Sequence, residues 1–212
     1  MPWRVTWHKP VLRLCVALHA TGLCGLYFSP WRSFLEKLTP GMIVLTLAVA
    51  WAWHVRWSLR EVVVLAWCGG LGYLAEVAGV QRGWIFGQYK YGSILGPALW
   101  DVPILLFLNW IWVLYGVQNF LLWLKAPRHT LAYLSAVVLV LYDLPLEHFA
   151  MFHGLWQWPG GHIPTDNFVG WGLVTLLLSA FWQPRELNRM AAHLFLLQFA
   201  FFILAFIFQN YF

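Results

Sequence analysis

The chain has 212 residues, of which 61% are hydrophobic and only 10% carry a charge, whereas a soluble domain has about 25% charged residues. A formal charge of +5 would suit a nucleic-acid partner, but the basic residues sit singly or in small groups between apolar runs, as membrane topology signals do. The composition therefore excludes a soluble globule, a disordered chain and a nucleic-acid binder. It predicts an all-α, polytopic helix bundle in the lipid bilayer, a single integral membrane domain over residues 1–212.

A helix needs about 20 apolar residues to cross the hydrocarbon. Spans are expected at roughly 11–29, 40–57, 61–80, 98–124, 129–150, 167–183 and 190–212, about seven transmembrane helices. Pro30, Pro40, Pro127 and Pro184 punctuate their ends, as helix breakers should. The first run does not read as a cleaved signal, because Arg13 interrupts it and Tyr27-Phe-Ser-Pro30 is no small-residue cleavage site. Cys15, Cys24 and Cys68 lie in apolar runs without a CxxC pattern and read as small buried hydrophobes.

Seven spans place alternate loops on opposite sides, so Lys and Arg test the drawing. Nine fall on one side (Arg4, Lys9, Arg13, Arg56, Arg60, Lys125, Arg128, Arg185, Arg189) and four on the other (Arg32, Lys37, Arg82, Lys90). That asymmetry argues for the N-terminus in and the C-terminus out, in what we expect to be a bacterial cytoplasmic membrane.

Two polar, aromatic-rich segments interrupt the apolar pattern, and the parity of the loops puts both on the outer side. The first is Glu76-Val-Ala-Gly-Val-Gln-Arg-Gly-Trp-Ile-Phe-Gly-Gln-Tyr-Lys-Tyr91. The second runs Tyr142-Asp-Leu-Pro-Leu-Glu147-His, then Gly154-Leu-Trp-Gln-Trp158, and ends at Pro164-Thr-Asp-Asn-Phe-Val-Gly-Trp171. A charge at the centre of a membrane helix costs roughly 2.5–3.5 kcal/mol on insertion scales. Only 8 acids are present, yet Glu76, Asp143 and Glu147 stand at the ends of apolar runs. Asp143 and Glu147, four apart, share a helix face, with Pro145 between them. They form either a working pair or a structural one capped by His148, Arg82 or a backbone amide. Glu76 either works with them or bonds a neighbouring helix. Asp101 reads as a cap for the fourth span, and Asp166-Asn167 as an N-cap for the sixth, with Asn167 also able to bind water.

The 16 Trp, 16 Phe and 8 Tyr largely suit an interfacial belt and lipid-facing packing. A belt does not require Trp156, Trp158 and Trp171 to cluster beside two carboxylates, nor Trp84, Phe86, Tyr89 and Tyr91 to crowd one loop. These seven are candidates for a pocket wall. Other membrane chemistries fit poorly. The His residues are dispersed apart from His148 and His153, which is weak metal spacing, so no metal is expected. The four lysines lie in or beside loops, which disfavours a retinal Schiff base. Asp143-x-x-x-Glu147 alone resembles an acid-rich diphosphate motif, and no phosphate loop, nucleophile elbow or nucleotide fingerprint is present.

The run Glu76-x-Ala-Gly-Val-x-x-Gly-x-x-Phe-Gly-x-Tyr-x-Tyr91, followed by Gly96-Pro97 and Val102-Pro103, resembles the carotenoid biosynthesis membrane family. Asp143-x-x-x-Glu147 with Gly154-x-Trp156-x-Trp158 and Pro164-x-x-Asn167-Phe-x-Gly170-Trp171 is similar to its second signature. The likeness covers roughly residues 70–172, and the flanks agree only in being apolar. That family includes carotenoid 1,2-hydratases of the gamma-carotene and bisanhydrobacterioruberin hydratase type. The resemblance implies addition of water to the terminal C=C of an acyclic carotene, without a cofactor, in a lipid bilayer shared with other enzymes of the carotenoid pathway.

The residues suit that chemistry on their own terms. An isolated alkene is a poor base and needs a protonated carboxylic acid, which burial and a neighbouring carboxylate favour. Trp and Tyr faces can stabilise the resulting tertiary cation, and a carboxylate or Asn167 can direct the water. Asp143, Glu147 and Glu76 are therefore the expected catalytic acids. Trp84, Phe86, Tyr89, Tyr91, Trp156, Trp158, Asn167 and Trp171 are the expected substrate-binding residues. A cyclase or elongase on the same fold, or a non-enzymatic carotenoid binder, would use much of the same wall.

Overall fold

The computed structural model describes residues 2–211. Its helices are α1 (Pro2–Phe28), α2 (Arg32–Glu36), α3 (Thr39–Ala52), α4 (Leu59–Arg82), α5 (Leu105–Trp123), α6 (Leu131–Phe152), α7 (Thr165–Phe181) and α8 (Arg189–Tyr211). Short strands β1 (Lys90–Tyr91), β2 (Ala98–Leu99), β3 (Val102–Pro103) and β4 (Trp156–Gln157) lie in the loops. The protein is an all-α bundle with little sheet.

Local chemistry sets the helix ends. The Ser58 hydroxyl accepts from the Glu61 amide while the Glu61 carboxylate accepts from the Ser58 amide, a reciprocal cap that starts α4. Gly83, at φ +70°, ends α4 in the left-handed conformation that spares a side chain. Pro40 occupies the first turn of α3, where its missing N–H costs nothing. Pro145 is carried inside α6, so the Leu141 carbonyl has no helical donor from that position.

Five helices (α1, α4, α5, α6 and α8) are long and apolar enough to cross a membrane. α3 has 14 residues and α7 has 17, which at 1.5 Å per residue fall short of a ~30 Å hydrocarbon core. These helices lie within or close to the expected stretches, but α3 stops at Ala52, short of the expected end near residue 57. Large apolar side chains cover the outside, Leu59 at 81% exposure and Val5 at 82% among them. Such a surface suits acyl chains, which would impose none of the penalty that water does.

α5 is the hub, packing against α4, α6 and α8, with α3 and α7 also touching it. Every residue from Trp110 to Asn119 is buried. At one end of the bundle the Asn188 carboxamide donates to the Ala50 carbonyl at 2.7 Å and the Tyr115 hydroxyl at 2.8 Å, tying the approach to α8 to α3 and α5. At the opposite end Glu36 accepts from Arg32 Nε at 2.9 Å and pairs with His153 Nδ1 at 2.8 Å. His153 and the Arg32 guanidinium hold the Glu36 carboxyl below its ordinary range against the opposing effect of burial. This contact ties α2 to the end of α6.

Four expectations need correction. Residues 98–104 are not helical: β2 and β3 form a hairpin, since Pro97 and Pro103 bracket it, and α5 begins at Leu105. Asp101 caps nothing; it sits in the hairpin turn at φ +61° and its Oδ2 accepts from Gln81 Nε2 at 2.8 Å. The N-cap position of α7 is Pro164, with Asp166 exposed in the first turn, where its charge suits the helix dipole. Cys24 is exposed on α1, while Cys15 and Cys68 are buried.

Candidate active site

The two polar loops meet. β1 pairs antiparallel with β4, Lys90 opposite Gln157 and Tyr91 opposite Trp156. The Gly92 amide extends the pairing to the Leu155 carbonyl at 2.8 Å. A Cβ on Gly92 would lie 2.2 Å from the Gly154 carbonyl oxygen, so only glycine permits this approach. The pairing delivers aromatic donors to two carboxylates on different helices.

Glu76, near the end of α4, is 5% exposed. Its Oε2 accepts from the hydroxyls of Tyr89 and of Tyr91, the latter at 2.8 Å, and its Oε1 from the Trp110 indole at 2.9 Å. Glu147, on α6, is 2% exposed. Its Oε2 accepts from the indoles of Trp156 at 2.8 Å and Trp158 at 2.6 Å, and its Oε1 from Asn167 Nδ2 at 3.1 Å. Asn167 Nδ2 also donates to Asp143 Oδ2 at 2.6 Å. Asp143 is completely buried, and among the described residues its Oδ1 has no partner. Facing residues of the strand pair thus serve different acids, Tyr91 serving Glu76 and Trp156 serving Glu147.

The donors are neutral. Neither Arg82 nor His148 reaches the acids; His148 Nδ1 lies 2.9 Å from the Leu144 carbonyl, back along its own helix. Burial, followed by the Glu76 charge, pushes the Tyr89 and Tyr91 hydroxyls well above their ordinary range. Both phenols therefore keep their protons and donate throughout the physiological range. Among the described residues, no three His, Cys, Asp or Glu side chains are grouped to hold a metal ion.

Glu76 and Glu147 line one small cavity of about 20 Å³. Tyr89, Tyr91, Trp156, Trp158, Asn167 and Trp171 complete most of its wall. A single water needs roughly 10–15 Å³ measured this way, so the space suits one. The rings interlock: Tyr89 and Trp158 centroids are 4.7 Å apart, Tyr91 and Trp156 5.8 Å, Trp110 and Trp171 4.8 Å. Beside it lies a cleft of about 250 Å³ with a mostly apolar lining from α1, α3, α5, α6 and α8. Leu106, Asn109, Leu146 and Trp156 border both spaces.

The structure thus gathers Glu76, Asp143, Glu147, Tyr89, Tyr91, Trp156, Trp158, Asn167 and Trp171. Asp143 stands behind the wall, bordering neither space. Phe86 is buried one layer back, stacked 6.2 Å from Trp110. Trp84 is a correction: it is 67% exposed, because the left-handed Gly83 turns the chain outward there. Sequence reasoning missed Trp110 and Asn109, and the pattern does not single them out, because Gln118-Asn119 is a second polar pair in the same helix.

A family model described as "Carotenoid biosynthesis protein" matches residues 38–211. The chain belongs to the carotenoid biosynthesis protein family. It is similar to a bisanhydrobacterioruberin hydratase of Haloarcula japonica, with 35% identity over 122 residues. That match covers 51% of this chain and 41% of the relative, so the chain spans well under half of that protein's length. No solved structure matches the chain. Both polar loops, and every residue of the two carboxylate sites, fall inside the region matched by the family model.

Proposed function

We propose that the chain is a cofactor-independent carotenoid hydratase, a single integral membrane domain that adds water to the terminal C=C of an acyclic carotene. The observation that carries this reading is the water-sized cavity between Glu76 and Glu147, opening beside an apolar cleft. The name of the Haloarcula japonica relative points the same way. The apolar end of the substrate enters the cleft and brings its last double bond past Leu106 and Leu146. Glu147 gives its proton to the less substituted alkene carbon. The tertiary cation is stabilised by the faces of Trp156, Trp158 and Tyr91, worth about 2 kcal/mol or more where water is excluded. Water in the small cavity forms the C–O bond and loses a proton to Glu76. Asp143, behind Asn167, positions the amide that orients Glu147. The helices cross about seven times, N-terminus in and C-terminus out, in a bacterial cytoplasmic membrane shared with other enzymes of the pathway.

The test is conversion of an acyclic carotene by membranes carrying Glu147→Gln, Glu76→Gln or Asp143→Asn, normalised to folded protein. Glu147→Gln keeps size and polarity but removes the proton donor, so the mass gain of one water should fall by about 10²–10⁴-fold. Near wild-type hydration by Glu147→Gln would sink the assignment. A wild-type product of unchanged mass would indicate a cyclase and one with added carbons an elongase. Bound pigment without conversion would indicate a binding protein.

A further inference from the structure

Asn109 stands where the apolar cleft and the small polar cavity share a wall. It is half-buried, and among the described residues its carboxamide has no hydrogen-bond partner. The neighbouring amides each spend one end elsewhere: Asn167 donates its NH₂ to both Asp143 and Glu147, and Gln198 accepts through its carbonyl oxygen from the Trp112 indole at 2.5 Å. The Asn109 amide borders both spaces, so a water held there completes its hydrogen bonds. The next residue, Trp110, holds Glu76 through its indole, so α5 fixes Asn109 relative to that carboxylate.

We infer that Asn109 holds the attacking water at this throat and so decides whether the cation ends as an alcohol. The inference rests on the hydration reading above. Water can offer its lone pair to a cation only when its protons point elsewhere. The Asn109 carbonyl oxygen accepts one O–H and the Glu76 carboxylate the other, which leaves a lone pair facing the carbon. The C–O bond then forms, the O–H facing Glu76 breaks, and that proton passes to the carboxylate. With no held water the cation has two other exits. Loss of a proton from an adjacent carbon regenerates an alkene, and attack by a nearby C=C followed by proton loss closes a ring. Neither changes the mass of the substrate.

The experiment uses the full chain in lipid nanodiscs with lycopene, an acyclic carotene, in H₂¹⁸O and separately in D₂O. Wild type, Asn109→Leu and Asn109→Gln are compared. Leucine keeps asparagine's branched outline of four side-chain heavy atoms and suits a helix, so the fold should hold. Asn109→Leu should still take deuterium onto carbon, because cation formation does not need the amide. Its ¹⁸O uptake should fall by roughly 10-fold, as expected for one lost oriented hydrogen bond, with isomers of unchanged mass taking the difference. Asn109→Gln should restore part of the ¹⁸O uptake. Wild-type ¹⁸O uptake by Asn109→Leu would overturn the role of Asn109 alone. Equal loss of deuterium and ¹⁸O would also overturn it, since the amide would then serve cation formation or folding. A wild type that takes up deuterium but no ¹⁸O would overturn the hydration reading and this inference together.

Discussion

Asn167 carries more of the site than its size suggests, because one NH₂ group serves two buried acids, at 2.6 Å and 3.1 Å. Removing a donor from a buried charged or polar acceptor typically costs about 1–3 kcal/mol, more than the bond itself is worth. Asn167→Leu should therefore lower the thermal unfolding midpoint in detergent and depress conversion. Asp143→Leu alone strands the other side of the same bond. The double variant should then be less destabilised than the sum of the singles, by about 0.5–3 kcal/mol of coupling. Additive losses in that cycle would show that the two side chains do not depend on each other.

At the level of elements, the site depends on loops pressed against helices at distances only glycine allows. A Cβ on Gly170 of α7 would lie 2.6 Å from the Ile85 carbonyl oxygen, and backbone cannot yield as a side chain tip can. Gly170→Ala should push α7 away from the first polar loop and destabilise the protein by about 1–3 kcal/mol, as overpacking does. Gly22 of α1 makes the contrast, since a Cβ there meets nothing within 4 Å. Gly22→Ala should be neutral or gain up to about 1 kcal/mol from helix propensity. Thermal unfolding of the two variants side by side checks this, and equal midpoints would remove the close-approach argument.

For the whole molecule, the polar loops belong together on one face, and the charge asymmetry predicts that this face lies outside. Cysteines placed at exposed Trp84 and His162, in a background without Cys15, Cys24 and Cys68, should react with a membrane-impermeant maleimide on intact cells. A cysteine at exposed Arg185 should react only after permeabilisation. Labelling of positions 84 and 185 from the same side would invalidate the seven-crossing arrangement, in which three helices separate them.

The sequence by itself determined the apolar bundle, the positions of its helices and the gathering of two polar segments on one side. These follow from solvent preference and chain length, which act residue by residue. Glu76, Asp143 and Glu147 were legible because ionisable groups are rare among apolar runs, and Trp156 and Trp158 because they crowd one short polar stretch. Tertiary structure alone decided which aromatic serves which acid. Tyr91 and Trp156 face each other across a strand pair yet bond to different helices, and no spacing in the chain encodes that exchange. It also decided that Trp84 turns outward, that Asp101 lies in a hairpin, and that Trp110 and Asn109 face the acids. The physical reason is that a buried carboxylate takes its hydrogen bonds from whatever donor packing brings within 3 Å. That choice depends on how α4, α5, α6 and α7 pack around the loops, which the apolar pattern of each helix leaves open.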